Sequence, residues 1–126
     1  MKWILIWSVT LTTCCAAIAQ QFTDNSADGL SERERRIIMA YVANQLSDPT
    51  SANFTNVRKG KASGYCGYVN SKNRFGGYVG PKLFYVDIDQ ANAVITPTEE
   101  DLRSAKLAQL KEIESMLPVL SANCAP

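Results

Sequence analysis

The spacing of apolar residues divides the chain into an uncharged start, a helical stretch, a region of short alternating runs and a second helical stretch. From Trp3 to Thr23 there is no charged residue. Ile37, Ile38, Tyr41, Val42 and Leu46 then fall at helical spacing, behind Ser31 and Glu34 in a capping-box arrangement and ahead of Asp48-Pro49, which predicts a helix over 31–47. From Phe54 to Ile95, β-branched and aromatic residues come in short runs broken by Gly, Asn, Lys and Pro. They predict strands at about 54–58, 64–70, 75–79, 83–88 and 92–95. In the fourth, Phe84, Val86 and Ile88 share the core face, and Gly76-Gly77 predicts a bulge or a close backbone approach. Thr98 with Asp101 opens a second helix carried by the stripe Leu107, Leu110, Ile113, Leu117 and Leu120, with Pro118 expected to end or kink it. An N-terminal helix, an antiparallel meander of four or five short strands and a C-terminal helix make an α+β fold, with both helices expected on one face of the sheet.

The uncharged start changes where this fold is expected to work. Lys2, the apolar Trp3-Ile4-Leu5-Ile6-Trp7 and the A-x-A sequence Ala17-Ile18-Ala19 follow the plan of a secretory signal peptide over residues 1–19. An uncleaved anchor would want a more continuous apolar run, and a lipoprotein box ending at Cys14 is disfavoured by Thr13 before that cysteine. Residues 20–29 are polar and read as a flexible lead-in to a single domain over 30–126. Removal of the leader takes Cys14 and Cys15 with it and leaves Cys66 and Cys124, an even pair that reads as a disulfide in an oxidising compartment. A periplasmic or secreted protein with no membrane span after cleavage is the expectation.

Composition narrows the chemistry. The chain has no His, which removes the Ser-His-Asp, Cys-His and His-rich zinc constellations, and no Gly-rich phosphate loop, S-x-x-K motif or metal-ligand cluster replaces them. No cofactor or metal is expected. Charge is balanced, 13 Lys+Arg against 12 Asp+Glu, but unevenly placed. Between Pro49 and Val86 the bases Arg58, Lys59, Lys61, Lys72, Arg74 and Lys82 occur without an acid, whereas both flanks are net acidic. Interleaved rings would suit a polyanion, yet bases at hairpin turns also keep sheets soluble, most of the rings are needed for a core, and an exported protein rarely meets RNA; no nucleic acid is expected. Asp87 and Asp89 alternate along a predicted strand and would share a face, an arrangement a His-independent glycan hydrolase could use.

The densest segment is Cys66-Gly67-Tyr68-Val69-Asn70-Ser71-Lys72-Asn73-Arg74-Phe75-Gly76-Gly77-Tyr78. With the upstream Asp48-Pro49-Thr50-Ser51-Ala52-Asn53-Phe54, it resembles the D-P-x-S-A-x-F and C-G-x-V-N-x-K-N-x-F-G-G-Y patterns of a group of small exported bacterial proteins, over about residues 46–86. The resemblance implies a bacterial envelope or secreted protein and implies no activity. Tyr68 and Arg74 occupy its variable places. Asn70 and Asn73 can hold a turn with their side-chain amides, which explains much of the motif structurally. A functional reading makes Asn70, Lys72, Asn73 and Tyr78 a small polar recognition surface. The expectation is an exported, disulfide-stapled, non-enzymatic protein that binds an envelope protein or polymer. The alternatives are the hydrolase built on Asp87 and Asp89 and a structural subunit that pairs through a sheet edge.

Overall fold

The structure is a computed structural model and describes residues 20–126; the signal peptide expected over 1–19, and the disfavoured alternative of lipidation at Cys14, lie outside the described residues. The chain forms a five-stranded sheet in sequence order, β1 (Gln21–Phe22), β2 (Asn53–Lys59), β3 (Tyr65–Asn70), β4 (Lys82–Asp87) and β5 (Asn92–Ile95), with helices α1 (Glu32–Ala43), α2 (Glu99–Ser104) and α3 (Leu107–Cys124). Strands β2 to β5 are an antiparallel meander, whereas β1 pairs parallel with β2. This is an α+β fold.

Residues 20–29 are packed rather than a loose lead-in. Gln21–Phe22 adds the fifth strand, and Ala27 is buried against the core. The reason lies in β2, where a bulge between Thr55 and Arg58 places Asn56 at φ 50° and turns two N–H groups away from the ladder. Asn56 N–H donates to Asp24 Oδ2 at 2.7 Å and Val57 N–H to Ser26 Oγ at 2.7 Å, so polar residues of the lead-in satisfy the irregular edge. The Ser26 hydroxyl, followed by the Asn56 N–H, holds the Asp24 carboxyl below its usual range.

Alternation along β4 gives the sheet two buried faces. Phe84 and Val86 join Ile38 and Val42 of α1, with Phe54, Val69 and Ala93, while Tyr85 points the other way into a smaller cluster with Cys66, Val94, Leu120 and Cys124. The two long helices therefore cover opposite faces, not one face as expected. A fully buried Phe84 face was legible in the pattern; the burial of Tyr85 was not, because its hydroxyl looks outward-facing until Ser63 Oγ is seen 3.0 Å from it.

The capping boxes read from the sequence form at both helix starts, Ser31 with Glu34 and Thr98 with Asp101. The ends differ. Helix α1 stops at Ala43, where Gln45 and Leu46 N–H groups turn to the carbonyls of Val42 and Ala43, and that tighter turn brings Leu46 onto the core. The single helix expected over 98–117 is two. Ala105 and Lys106 are extended, and Gln109 Oε1 accepts the Lys106 N–H at 2.9 Å to start α3 afresh. Pro118 does not end α3, because the last turn beyond it is tied down by tertiary bonds.

Those bonds gather around the Cys66–Cys124 disulfide, whose Cα atoms are 5.6 Å apart. Asn123, also buried, accepts the N–H groups of Ala62 at 3.2 Å and Ser63 at 3.0 Å, and Arg58 donates to the Cys124 carbonyl at 2.9 Å. On the other face Tyr65 donates its hydroxyl to Glu34, which also accepts the Ser31 N–H at 2.7 Å. The Tyr65 hydroxyl is the main reason that the Glu34 carboxyl is pulled from an ordinary 4.5 to about 2, and the same bond pushes Tyr65 up to about 12.

Two outcomes are expected. Closing a loop across a separation of 58 residues stabilises by about 4 kcal/mol in the chain-entropy account, so the Cys66→Ala/Cys124→Ala pair should lose about that much in denaturant unfolding. A loss below about 1 kcal/mol would show that the staple contributes little. Because the folded pKa of Glu34 lies below its unfolded value, its contribution is complete above about 4.5 and fades as pH falls toward about 2. Melting temperatures followed by circular dichroism should drop across that window, and Glu34→Gln should lower the melting temperature near neutrality while flattening that part of the profile.

Candidate functional site

Residues 71–81 join β3 to β4 and carry the second half of the dense motif. No strand forms at 75–79; a single antiparallel bridge between Lys72 and Tyr78 closes a tight turn instead. Its shape is fixed from within. Asn73 N–H donates to the Gly77 carbonyl at 2.8 Å, and Asn73 Oδ1 accepts the N–H groups of Phe75 at 3.0 Å and Gly77 at 3.1 Å. Asn70 Oδ1 accepts the Gly80 N–H at 3.1 Å. Gly76 sits at φ +83° with open space where a side chain would be, so glycine answers to the turn and not to a close backbone approach.

The upstream stretch belongs to the same unit. Ser51 Oγ accepts the Lys72 N–H at 2.8 Å, Asn53 donates to the Tyr78 hydroxyl at 3.3 Å, and the alternate residues Ala52 and Phe54 are fully buried. At the start of this stretch, Asp48 caps its own turn and the Thr50 hydroxyl lowers its pKa. The two halves of the motif, about twenty residues apart, are thus one hydrogen-bonded structure.

The four residues singled out from the sequence come together here, but they do different things. Asn70 and Asn73 commit their amide oxygens to the loop backbone, Asn70 with one bond and Asn73 with two, so both side chains serve the shape of the loop. Lys72 lies with Nζ 5.5 Å from the centre of the Tyr78 ring, and Tyr78 is half exposed, so this pair forms an outward cation–π surface. The residue missed is Phe75. It is 94% exposed at the tip of the loop, next to Arg74. A strand over 75–79 would put it in the sheet; the signal that it is otherwise is its place between a turn-forming Asn and two glycines.

Beside the loop runs a cleft of 680 Å³, walled by Lys72, Arg74 and Phe75 on one side and by Pro97, Glu100 and Ile113 on the other. Lys82 bridges it to α2 with Nζ 3.6 Å from Asp101, whose carboxyl is held low first by the Thr98 hydroxyl and also by Lys82. Lys72 and Arg74 take part in no ion pair among the described residues. A smaller groove of 220 Å³ continues past Ile95, Pro97 and Ile113 to Met116, Leu117 and Leu120 of α3. Here the stripe expected to pack on the sheet is largely uncovered: Leu120 is buried, while Leu107 is 70% and Leu117 47% exposed.

A second cleft, 810 Å³, lies at the opposite end of the sheet and includes Glu34, Lys59, Tyr65, Asp87 and Asp89. The two aspartates do not alternate on one strand, because β4 ends at Asp87 and Asp89 belongs to the turn. Asp87 Oδ1 accepts the N–H groups of Asp89 at 3.0 Å and Gln90 at 3.1 Å, a turn-holding role. Glu34, at about 2, is held in the form opposite to that of a general acid. No group of three or more metal-ligating side chains occurs among the described residues, and no described helix is long and apolar enough to cross a membrane.

Comparison of the chain with known protein families, with curated proteins and with solved structures finds no match in any of the three. The geometry of the chain itself therefore carries the functional argument.

The loop geometry makes a paired prediction about its two glycines. Gly76→Ala forces a side chain into the left-handed region and should destabilise by about 1 kcal/mol. Gly77→Ala, whose added carbon would meet nothing nearer than Asn73 Oδ1 at 3.9 Å, should stay within about 0.5 kcal/mol of the parent in the same denaturant titration. Equal effects at both positions would contradict the assigned turn.

Proposed function

We propose that the chain is an exported, non-enzymatic binding protein of the bacterial envelope, and that it holds its partner with the Ser71–Gly80 loop and the cleft beside it. The observation that carries this reading is Phe75, 94% exposed on a loop whose conformation is set by Asn73 and Gly76 without any help from the ring. A phenyl ring kept in water forgoes about 2–3 kcal/mol of burial that any apolar pocket could supply. A loop already ordered loses little further freedom when it docks, so most of that burial is available as affinity. Lys72 and Arg74 flank the ring as cations without acidic partners among the described residues, which favours a partner bearing carboxylates around an apolar socket.

The leader pattern read from the sequence over 1–19 and the resemblance of the dense motif to small exported bacterial proteins support the compartment, in which a disulfide such as Cys66–Cys124 would persist. Lys72 and Tyr78 contribute contact surface in this reading, while Asn70 and Asn73 act by positioning the loop. The hydrolase alternative receives no support from the second cleft, where Asp87 holds a turn and Glu34 is locked as a carboxylate. Pairing through a sheet edge receives no specific support at β5, an edge strand whose Ala93 and Val94 are buried.

The test is capture from an envelope extract on immobilised full chain, scored by quantitative mass spectrometry. Phe75→Ala should reduce recovery of the bound partner about tenfold or more, as removal of a buried anchor does, and Asp89→Asn should leave it unchanged. Undiminished capture by the Phe75 variant would overturn the reading.

A further inference from the structure

The same chain carries both a projecting ring and a socket that fits it. The groove against α3 encloses 220 Å³, and a benzene-sized guest occupies a dry cavity of about 150 Å³. Val94, Met116, Leu117 and Leu120 give it an apolar part, Gln45, Asn92 and Gln109 add polar groups, and Glu112 lines it without an ion-pair partner among the described residues. The loop is the complement of this, an exposed Phe75 between Lys72 and Arg74 with no acid from Pro49 to Val86. The loop cannot use its own socket in this conformation, since Asn70 and Asn73 hold it with Phe75 in the open.

Ring and socket also lie side by side. Gln45, Ile95, Pro97 and Ile113 line both the cleft next to the loop and the groove that ends at Leu120, so the two form one continuous surface, with Phe75, Lys72 and Arg74 projecting at one end, where Glu100 and Asp101 also line the cleft, and the hollow beside Glu112 at the other. That is the form a two-fold interface requires, because each half must meet the other half of an identical neighbour. Resting on the binding surface proposed above, we infer that its partner is a second copy of this chain, docked about a two-fold axis so that Phe75 of each copy enters the α3 groove of the other and Arg74 faces Glu112. The contact would cover Leu117, which packing within one copy leaves 47% exposed. Two equal contacts form together, and the dimer is closed, with no free ring or socket left to extend a chain.

Sedimentation velocity of the purified full chain from about 1 to 100 μM should show a monomer–dimer equilibrium. Phe75→Ala removes two anchors at once and should shift the dissociation constant upward by about 100-fold or more. Leu117→Glu should do the same by blocking the socket. A mixture of these two variants should dimerise more strongly than either alone, because one intact ring still meets one intact socket. Arg74→Glu should weaken the dimer, and adding Glu112→Arg to it should restore association by reversing both charges. A parent chain that remains monomeric throughout, or variants that show neither loss nor cross-rescue, would overturn the inference. If the chain is monomeric but envelope capture still depends on Phe75, the binding reading survives and only the identity of the partner falls. If capture is also insensitive to Phe75, both fall.

Discussion

The bond between Cys66 and Cys124 joins the middle strand to the last turn of α3, and much of the molecule's character follows from where that bond is placed. It holds the helix at its C-terminal end only. Around it, Asn123 satisfies the backbone of the β2–β3 turn, Arg58 reaches the Cys124 carbonyl, and Leu120 closes a small apolar cluster under Tyr85. Among the described residues nothing comparable fastens the first half of α3. Leu107 and Leu110 there, and Leu117 one turn before the anchored end, stay uncovered beside the groove that runs toward the Ser71–Gly80 loop. A helix of this length fixed at one end is a structural reason for a surface that packing alone would have buried.

The opposite face of the sheet is built in a more usual way, with α1 laid across Phe54, Phe84 and Val86. Its polar fastening is the Tyr65–Glu34 bond, which joins β3 to the first turn of α1, where Glu34 is already engaged by its capping partner Ser31. One carboxylate thus ends a helix correctly and ties that helix to the sheet. The two fastenings, one covalent and one ionisable, lie on different faces and respond to different conditions, the first to reduction and the second to acid.

The candidate site shows how a motif can be structural in most of its residues and functional in a few. Asn70, Asn73, Gly76 and Ser51 are consumed in making a loop that stands up without a ligand. What the loop then offers to solvent is Phe75, Arg74 and the stacked Lys72–Tyr78 pair. Of the polar residues that attracted notice in the sequence, Asn70 and Asn73 are the scaffold, and an apolar residue, Phe75, is the most exposed feature of the loop. An Asn amide reads in the same way whether it faces a ligand or its own backbone, and only the bonds it makes distinguish the two roles.

Short-range features were therefore legible: the capping boxes at Ser31 and Thr98, the core periodicity of Ile38 and Val42, the alternation of β4 and the pairing of Cys66 with Cys124. Each depends on residues within a turn of one another, on a fixed period, or on simple counting. What only the tertiary structure decided depends on partners distant along the chain. The polar lead-in is ordered because a bulge some thirty residues away needed donors satisfied, α3 persists through Pro118 because Cys124 and Asn123 are anchored, and Phe75 faces water because the loop bonds close behind it. Local pattern states which conformation a segment prefers; which face it buries, and whether anything is left to cover it, is settled by what the rest of the chain brings alongside.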